Sequence, residues 1–178
     1  VDRFYKINIA VLLVLSVITV GMLVQHEIEV QGSVNPKFTK KAILKRKYEK
    51  QMARNAWLYG KVISLQKAGQ SVQAIEELRK IMANNPSDAY ASVLLGRLYY
   101  QQGRLADAIH SYRKAVQKDP DYVDKKTPLY IGDEIMELIS NARGKLNREK
   151  RLKPNDTKIQ TAINDIYYLQ RRIAGGCE

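Results

Sequence analysis

Cysteine, histidine and acidic side chains are scarce in this sequence, and each shortage closes off a class of function. The one cysteine is Cys177. No intrachain disulfide can therefore staple the fold, and no C-x-x-C-H motif can attach haem. Cys177 stands next to last, whereas a prenylation box needs its cysteine fourth from the end. The two histidines, His26 and His110, have no second His or Cys at metal-ligand spacing. Phosphate loops, G-x-S-x-G and G-x-G-x-x-G are all missing. Glu76 and Glu77 are neighbours and point to different helix faces, as do Asp133 and Glu134. Glu134 and Glu137 share a face, but carboxylates scattered on helices are by default solvated. The residues imply no catalytic centre, no metal, no cofactor and no small-molecule substrate.

Acidic residues number 18 against 30 lysines and arginines, a formal net charge of +12. Such an excess favours anionic lipid, acidic protein or nucleic acid as partner. No stacking or groove-reading motif accompanies the charge, which sets nucleic acid aside.

Charge is also absent from one long stretch, Ile7 to Val24. As a helix it reaches about 27 Å, close to the hydrocarbon thickness of a bilayer. The expectation is a transmembrane anchor within residues 1–25. The run is longer than the apolar part of a cleaved signal peptide and lacks an A-x-A site. It is apolar all round, unlike most buried core helices. Arg3 and Lys6 precede it, and Glu27 and Glu29 follow. These tight flanks favour a cytoplasmic N-terminus and a periplasmic C-terminal domain, with a cytoplasmic domain as the alternative.

Residues 26–54 read as linker and basic helix. Gly32 to Pro36 form a connector in which Ser33 and Asn35 compete with the backbone and Pro36 opens a helix. Lys37, Lys40, Lys41, Lys45, Arg46 and Lys47 follow, then Lys50 and Arg54, opposed only by Glu49. This run is either a solvated helix face or a polybasic surface lying on anionic lipid.

The strongest signal is self-similarity. AGQSVQAIEELRKIMANNP from Ala68 aligns with QGRLADAIHSYRKAVQKDP from Gln102. Gly69 pairs with Gly103, Ala74 with Ala108, Ile75 with Ile109, Arg79 with Arg113, Lys80 with Lys114 and Pro86 with Pro120. Every pair is 34 residues apart. A repeat of this length marks stacked helical hairpins. The glycines stop a helix and turn the chain, and the prolines end the second helix of each pair. The periodicity predicts helices over about 37–67, 71–84, 88–101 and 105–118.

Residues 89–122 resemble a tetratricopeptide (TPR) unit almost position by position. Leu95, Gly96 and Tyr99 stand at its L-G-x-x-Y. Ala108, Tyr112, Ala115 and Pro120 stand at its small, aromatic, small and proline positions. Ser92 replaces the family's tryptophan. Residues 55–88 are a looser copy, with Val62 at the glycine position and Ile81 at the second small one. The expected architecture is therefore all-α: a single N-terminal transmembrane helix, then a short TPR-like α-solenoid with capping helices. Residues 55–122 form two units. Residues 123–178 hold a degenerate third unit, or one long helix in its place, and a last helix capped by Asn155 or Asp156. That helix carries a stripe of Ile159, Ala162, Ile163, Ile166, Tyr167 and Ile173.

The resemblance implies a binder of proteins and not an enzyme. In that family the first helix of each unit lines a concave groove. The matching positions are Tyr59, Ile63, Gln66 and Lys67 in the first unit, and Tyr90, Val93, Arg97, Tyr100 and Gln101 in the second. Tyr59 and Ile63 replace the lysine and asparagine of the carboxylate clamp of TPR co-chaperones. The implied function is a membrane-anchored scaffold or accessory subunit of a membrane or envelope complex. The alternative is an assembly factor or chaperone-like protein for c-type cytochromes or another envelope complex.

Overall fold

The computed structural model describes residues 36–175, together with Thr19, Val20 and Met22. Within residues 36–175 six α-helices run in order: α1 Pro36–Lys67, α2 Ser71–Asn84, α3 Ala89–Gln101, α4 Leu105–Lys118, α5 Gly132–Leu152 and α6 Thr157–Gly175. A single 3-10 turn, Pro120–Val123, follows α4. The chain divides into two units between Glu49 and Lys50, inside α1, and the packing and the pocket described below belong to the second.

The turns repeat as the sequence does. Gly69 and Gly103 take φ of 74° and 72°, a region that costs other residues a clash between Cβ and carbonyl. At the first turn Gly69 N donates to Gln66 O at 3.1 Å and Gln70 N to Leu65 O at 2.9 Å. At the second, Gly103 N donates to Tyr100 O and Arg104 N to Tyr99 O, both at 2.9 Å. This pair of bonds satisfies carbonyls that a helix end otherwise leaves open. Each turn is short, so α1 with α2, and α3 with α4, fold back as hairpins. Asp88 caps α3 by accepting from Tyr90 N at 2.9 Å.

Tyr59, Val62, Ala74, Leu78, Leu94 and Leu98 form one buried cluster across α1, α2 and α3. Gly96 and Ala108 bring α3 and α4 close: a Cβ on Gly96 would stand 2.9 Å from Tyr112 Cε2. In the second copy Tyr112, Ala115 and Val116 are buried. Helix α4 then packs on α5 and α6. A third hairpin would need a glycine turn where Glu137 stands, and α5 runs unbroken through that point. Its partner is α6, capped by Asp156 Oδ1, which accepts from Lys158 N at 2.9 Å and Ile159 N at 3.2 Å. The stripe on α6 buries Ile159, Ala162, Ile163 and Ile166, while Tyr167 stays exposed. Asp165, fully buried on the same helix, is held by His110 Nδ1 at 2.8 Å and Arg113 Nη1 at 2.6 Å, both from α4.

The expected membrane helix is corrected. No helix among the described residues is long and apolar enough to cross a membrane. The expected span, residues 7–24, lies outside the described residues except for Thr19, Val20 and Met22. The long helix that is described, α1, carries the basic run and is too polar for hydrocarbon. The architecture is an all-α, TPR-like solenoid. The single-pass localisation, the periplasmic domain and the lipid partner through residues 7–24 rested on the anchor and fall with it. Lys40, Lys41, Lys45, Arg46 and Lys47 are exposed along α1, and the Lys37 side chain lies outside the described residues.

Candidate protein-binding groove

The first helices of the two hairpins, α1 and α3, meet through aromatic rings. Tyr59 and Tyr90 make a T-shaped contact with centroids 5.3 Å apart. Tyr59 is fully buried. Burial and then the neighbouring Asp88 carboxylate push its phenol pKa up. Its hydroxyl has no well-formed hydrogen bond. Asp88 Oδ2 is taken by Arg54 Nη1 at 2.9 Å.

Beside this contact lies a pocket of about 270 Å³. Met52, Asn55, Ala56 and Ile63 of α1 line one side. Tyr90, Val93 and Arg97 of α3 line the next. Tyr122 and the run Pro128–Ile131 close it. The chain's own link between α4 and α5 thus forms a wall of the groove. That link is pinned at both ends. Ile131 N donates to Tyr122 O at 2.9 Å, and the Thr127 hydroxyl donates to Asp121 O at 2.7 Å.

Arg97, the cation in this lining, is already engaged. Its Nε donates to Glu134 Oε1 at 2.8 Å and its Nη2 to Glu134 Oε2 at 2.7 Å. This is the two-pronged geometry that guanidinium and carboxylate favour. The Tyr112 hydroxyl donates to the same Glu134 Oε1. Burial alone would push the Glu134 pKa up, but the bonds from Arg97 and Tyr112 outweigh it and hold the carboxyl below its usual range. The same bond to Glu134 pushes the Arg97 pKa further up, against burial.

The structure distributes the nine expected groove residues unevenly. Ile63, Tyr90, Val93 and Arg97 line the pocket. Tyr59 lies behind it in the core, and Val93 is itself fully buried. Tyr100 is half-buried, its hydroxyl accepting from Asn141 Nδ2 at 2.7 Å. Gln66 is half-buried, while Lys67 and Gln101 are exposed. Sequence reasoning missed Asn55 and Ala56, although Ala56 lies 34 residues before Tyr90 and could have been found by the same spacing. It also missed the wall from Tyr122 to Ile131, which no repeat position encodes. Among the described residues no cluster of His, Cys, Asp and Glu is arranged to hold a metal ion.

Comparison with known proteins agrees with the repeated helical hairpins. The family model of the tetratricopeptide repeat matches residues 59–123. Two similar relatives are the probable UDP-N-acetylglucosamine–peptide N-acetylglucosaminyltransferases SPINDLY of Petunia hybrida and Solanum lycopersicum. Each is 38% identical over 65 residues, which are 36% of this chain and 7% of the relative. The chain thus spans a small fraction of these relatives, and their transferase name describes them and not this chain. No solved structure matches. Residues 59–123 carry a tetratricopeptide-repeat domain.

Proposed function

We propose that this chain binds a segment of a partner protein on the face shared by α1 and α3. The observation that carries the reading is the pocket where the two first helices and the link after α4 converge. Tyrosine and arginine, the residues most often dominant in protein interfaces, flank it. The membrane-anchored scaffold expected from the sequence is set aside with the anchor. An assembly or chaperone-like role fits better, because it asks only for capture of a protein client. The net charge of +12 favours a client with acidic flanks.

The test is co-purification from a source lysate with the tagged chain and with Ala56→Arg, which places a charge in the pocket from an exposed position. The expected result is a reproducible co-purifying protein that is lost or strongly depleted with the variant. An identical set of proteins retained by both forms would overturn the reading.

A further inference from the structure

A second cavity, apart from the groove of α1 and α3, opens where the first turns of α4 and α6 meet the last turns of α5. We infer that it docks an acidic peptide segment of a protein partner, which inserts one apolar side chain and lays its carboxylates along α5. The cavity holds about 530 Å³, within the range of roughly 300–1,000 Å³ typical of ligand sites. Leu105, Leu146, Leu152 and Ile159 give it apolar walls. Leu146 and Ile159 are buried, whereas Leu152 is 81% exposed. Covering such a leucine is favourable for any apolar group that enters. The charges of the lining cancel: Arg104, Lys153 and Lys158 stand against Asp107, Glu149 and Asp156. Arg104 Nη2 and Lys158 Nζ both reach Asp107 Oδ2 at 2.8 Å, and Asp156 caps α6. A charged group entering the cavity would lose hydration and gain no net attraction, a cost that an apolar side chain escapes.

The excess charge lies beside the cavity, on α5. Lys145, Arg148, Glu149 and Leu152 recur at i, i+3, i+4 and i+7, one face of a helix. Glu149 and Leu152 line the cavity, so the two cations continue its rim. Lys150, Arg151 and Lys153 follow. All five cations are exposed, and among the described residues none of them forms an ion pair. Glu149 is the one acid in residues 143–153. Compensation of the helix dipole does not call for so many cations: α2 and α3 carry no basic residue in their last turn, and α4 carries Lys118. From Lys145 to Lys153 the run extends about 12 Å, the length of about four extended peptide residues. The occupant must therefore be long enough to reach both the cavity and the cations. A phosphodiester chain would meet the cations but leave the neutral apolar cavity unfilled; an acidic peptide with one apolar residue uses both.

The probe is an N-acetylated, C-amidated pentapeptide with one leucine between two pairs of glutamates. It is set against versions with serine at the centre or lysines in the flanks. Binding to the full chain is followed by amide chemical shifts and by calorimetry. The expected result is shifts centred on Leu105, Leu152 and Ile159. The leucine peptide should bind about fivefold tighter than the serine one, and the lysine-flanked one should not bind. Lys145→Gln with Arg148→Gln, both at exposed positions, should weaken both glutamate peptides and flatten the fall of their affinity with salt. The far-ultraviolet circular dichroism spectrum of that variant should be unchanged.

Equal affinity for the leucine and serine peptides, or no shifts at these amides at millimolar probe, would overturn the inference. A twelve-nucleotide oligothymidylate that shifts the same amides and displaces the peptide would give the surface to nucleic acid and overturn it as well. Ala56→Arg, which tests the groove of α1 and α3, should leave the binding of the probe unchanged. Loss of the probe with that variant would place the peptide in the groove and remove this inference alone.

Discussion

The ring of Tyr112 occupies the space that a side chain on Gly96 would need, with Cε2 only 2.9 Å from the Cβ position. Thirty-four residues earlier the same two places hold Val62 and Leu78, both fully buried. One repeat pairs nothing with a ring, and the other pairs a medium side chain with a medium one. The two hairpins fill the same interhelical space with opposite divisions of volume. Gly96→Val alone should therefore destabilise the fold by about 1–3 kcal/mol through overpacking. Adding Tyr112→Leu should recover part of that loss, with a coupling of about 1 kcal/mol in a double-mutant cycle. Urea denaturation of the four proteins checks this; strictly additive effects would refute the exchange.

Much of the fold could be read from this spacing. Helix ends at Lys67, Asn84, Gln101 and Lys118 follow from Gly69, Pro86, Gly103 and Pro120, because those residues act on their own backbone. The groove was less legible. Repeat positions say which residues lie on the first helices, but Tyr59 is buried by its neighbours and Arg97 is neutralised by Glu134. Both facts depend on contacts that no local pattern encodes. The link from Tyr122 to Ile131 enters the groove because α5 replaces a third hairpin, a consequence of one missing glycine at Glu137.

The Glu134 carboxyl gives the fold a pH dependence of definite sign. Its folded pKa lies below the unfolded one, because Arg97 and Tyr112 outweigh burial. The stabilisation is therefore complete above about pH 4.5, the ordinary glutamate range, and is lost as the pH falls through the lower folded value. Glu134→Gln should lower stability at neutral pH and flatten the decline on the acid side. Thermal melts between pH 3 and pH 7 check it. An unchanged acid slope in the variant would show that Glu134 carries none of the effect; the Asp107 carboxyl, also held below its usual range against burial by Lys158 and Arg104, would then be the next group to test.

Asp165 ties the last helix to the second repeat. It is fully buried, and its two oxygens accept from His110 and Arg113 of α4. Asp165→Ala should cost about 2 kcal/mol, the scale of hydrogen bonds to a charged group. It should not reach the larger penalty of a stranded buried charge, since His110 and Arg113 are both partly exposed and can turn to water. Hydrogen exchange should localise the loss to α6, with the amides of α2 unaffected. Uniform acceleration across all six helices would contradict this assignment.

Gly69 and Gly103 provide a comparison internal to the chain. Both take positive φ, at 74° and 72°, and a Cβ on either would meet nothing within 4 Å. Steric contact with the rest of the protein is thus removed from the account, and the cost of a side chain is the backbone strain alone. Alanine at either position should destabilise by about 1–2 kcal/mol, and the two values should agree closely. Asparagine, which tolerates the left-handed region better, should cost less at both. Equilibrium denaturation of the four single variants measures this. A large difference between the two alanine variants would show that the turns, alike in hydrogen bonding, differ in what they hold together: the second joins hairpin α3–α4 that α6 also grips, whereas the first closes α1–α2.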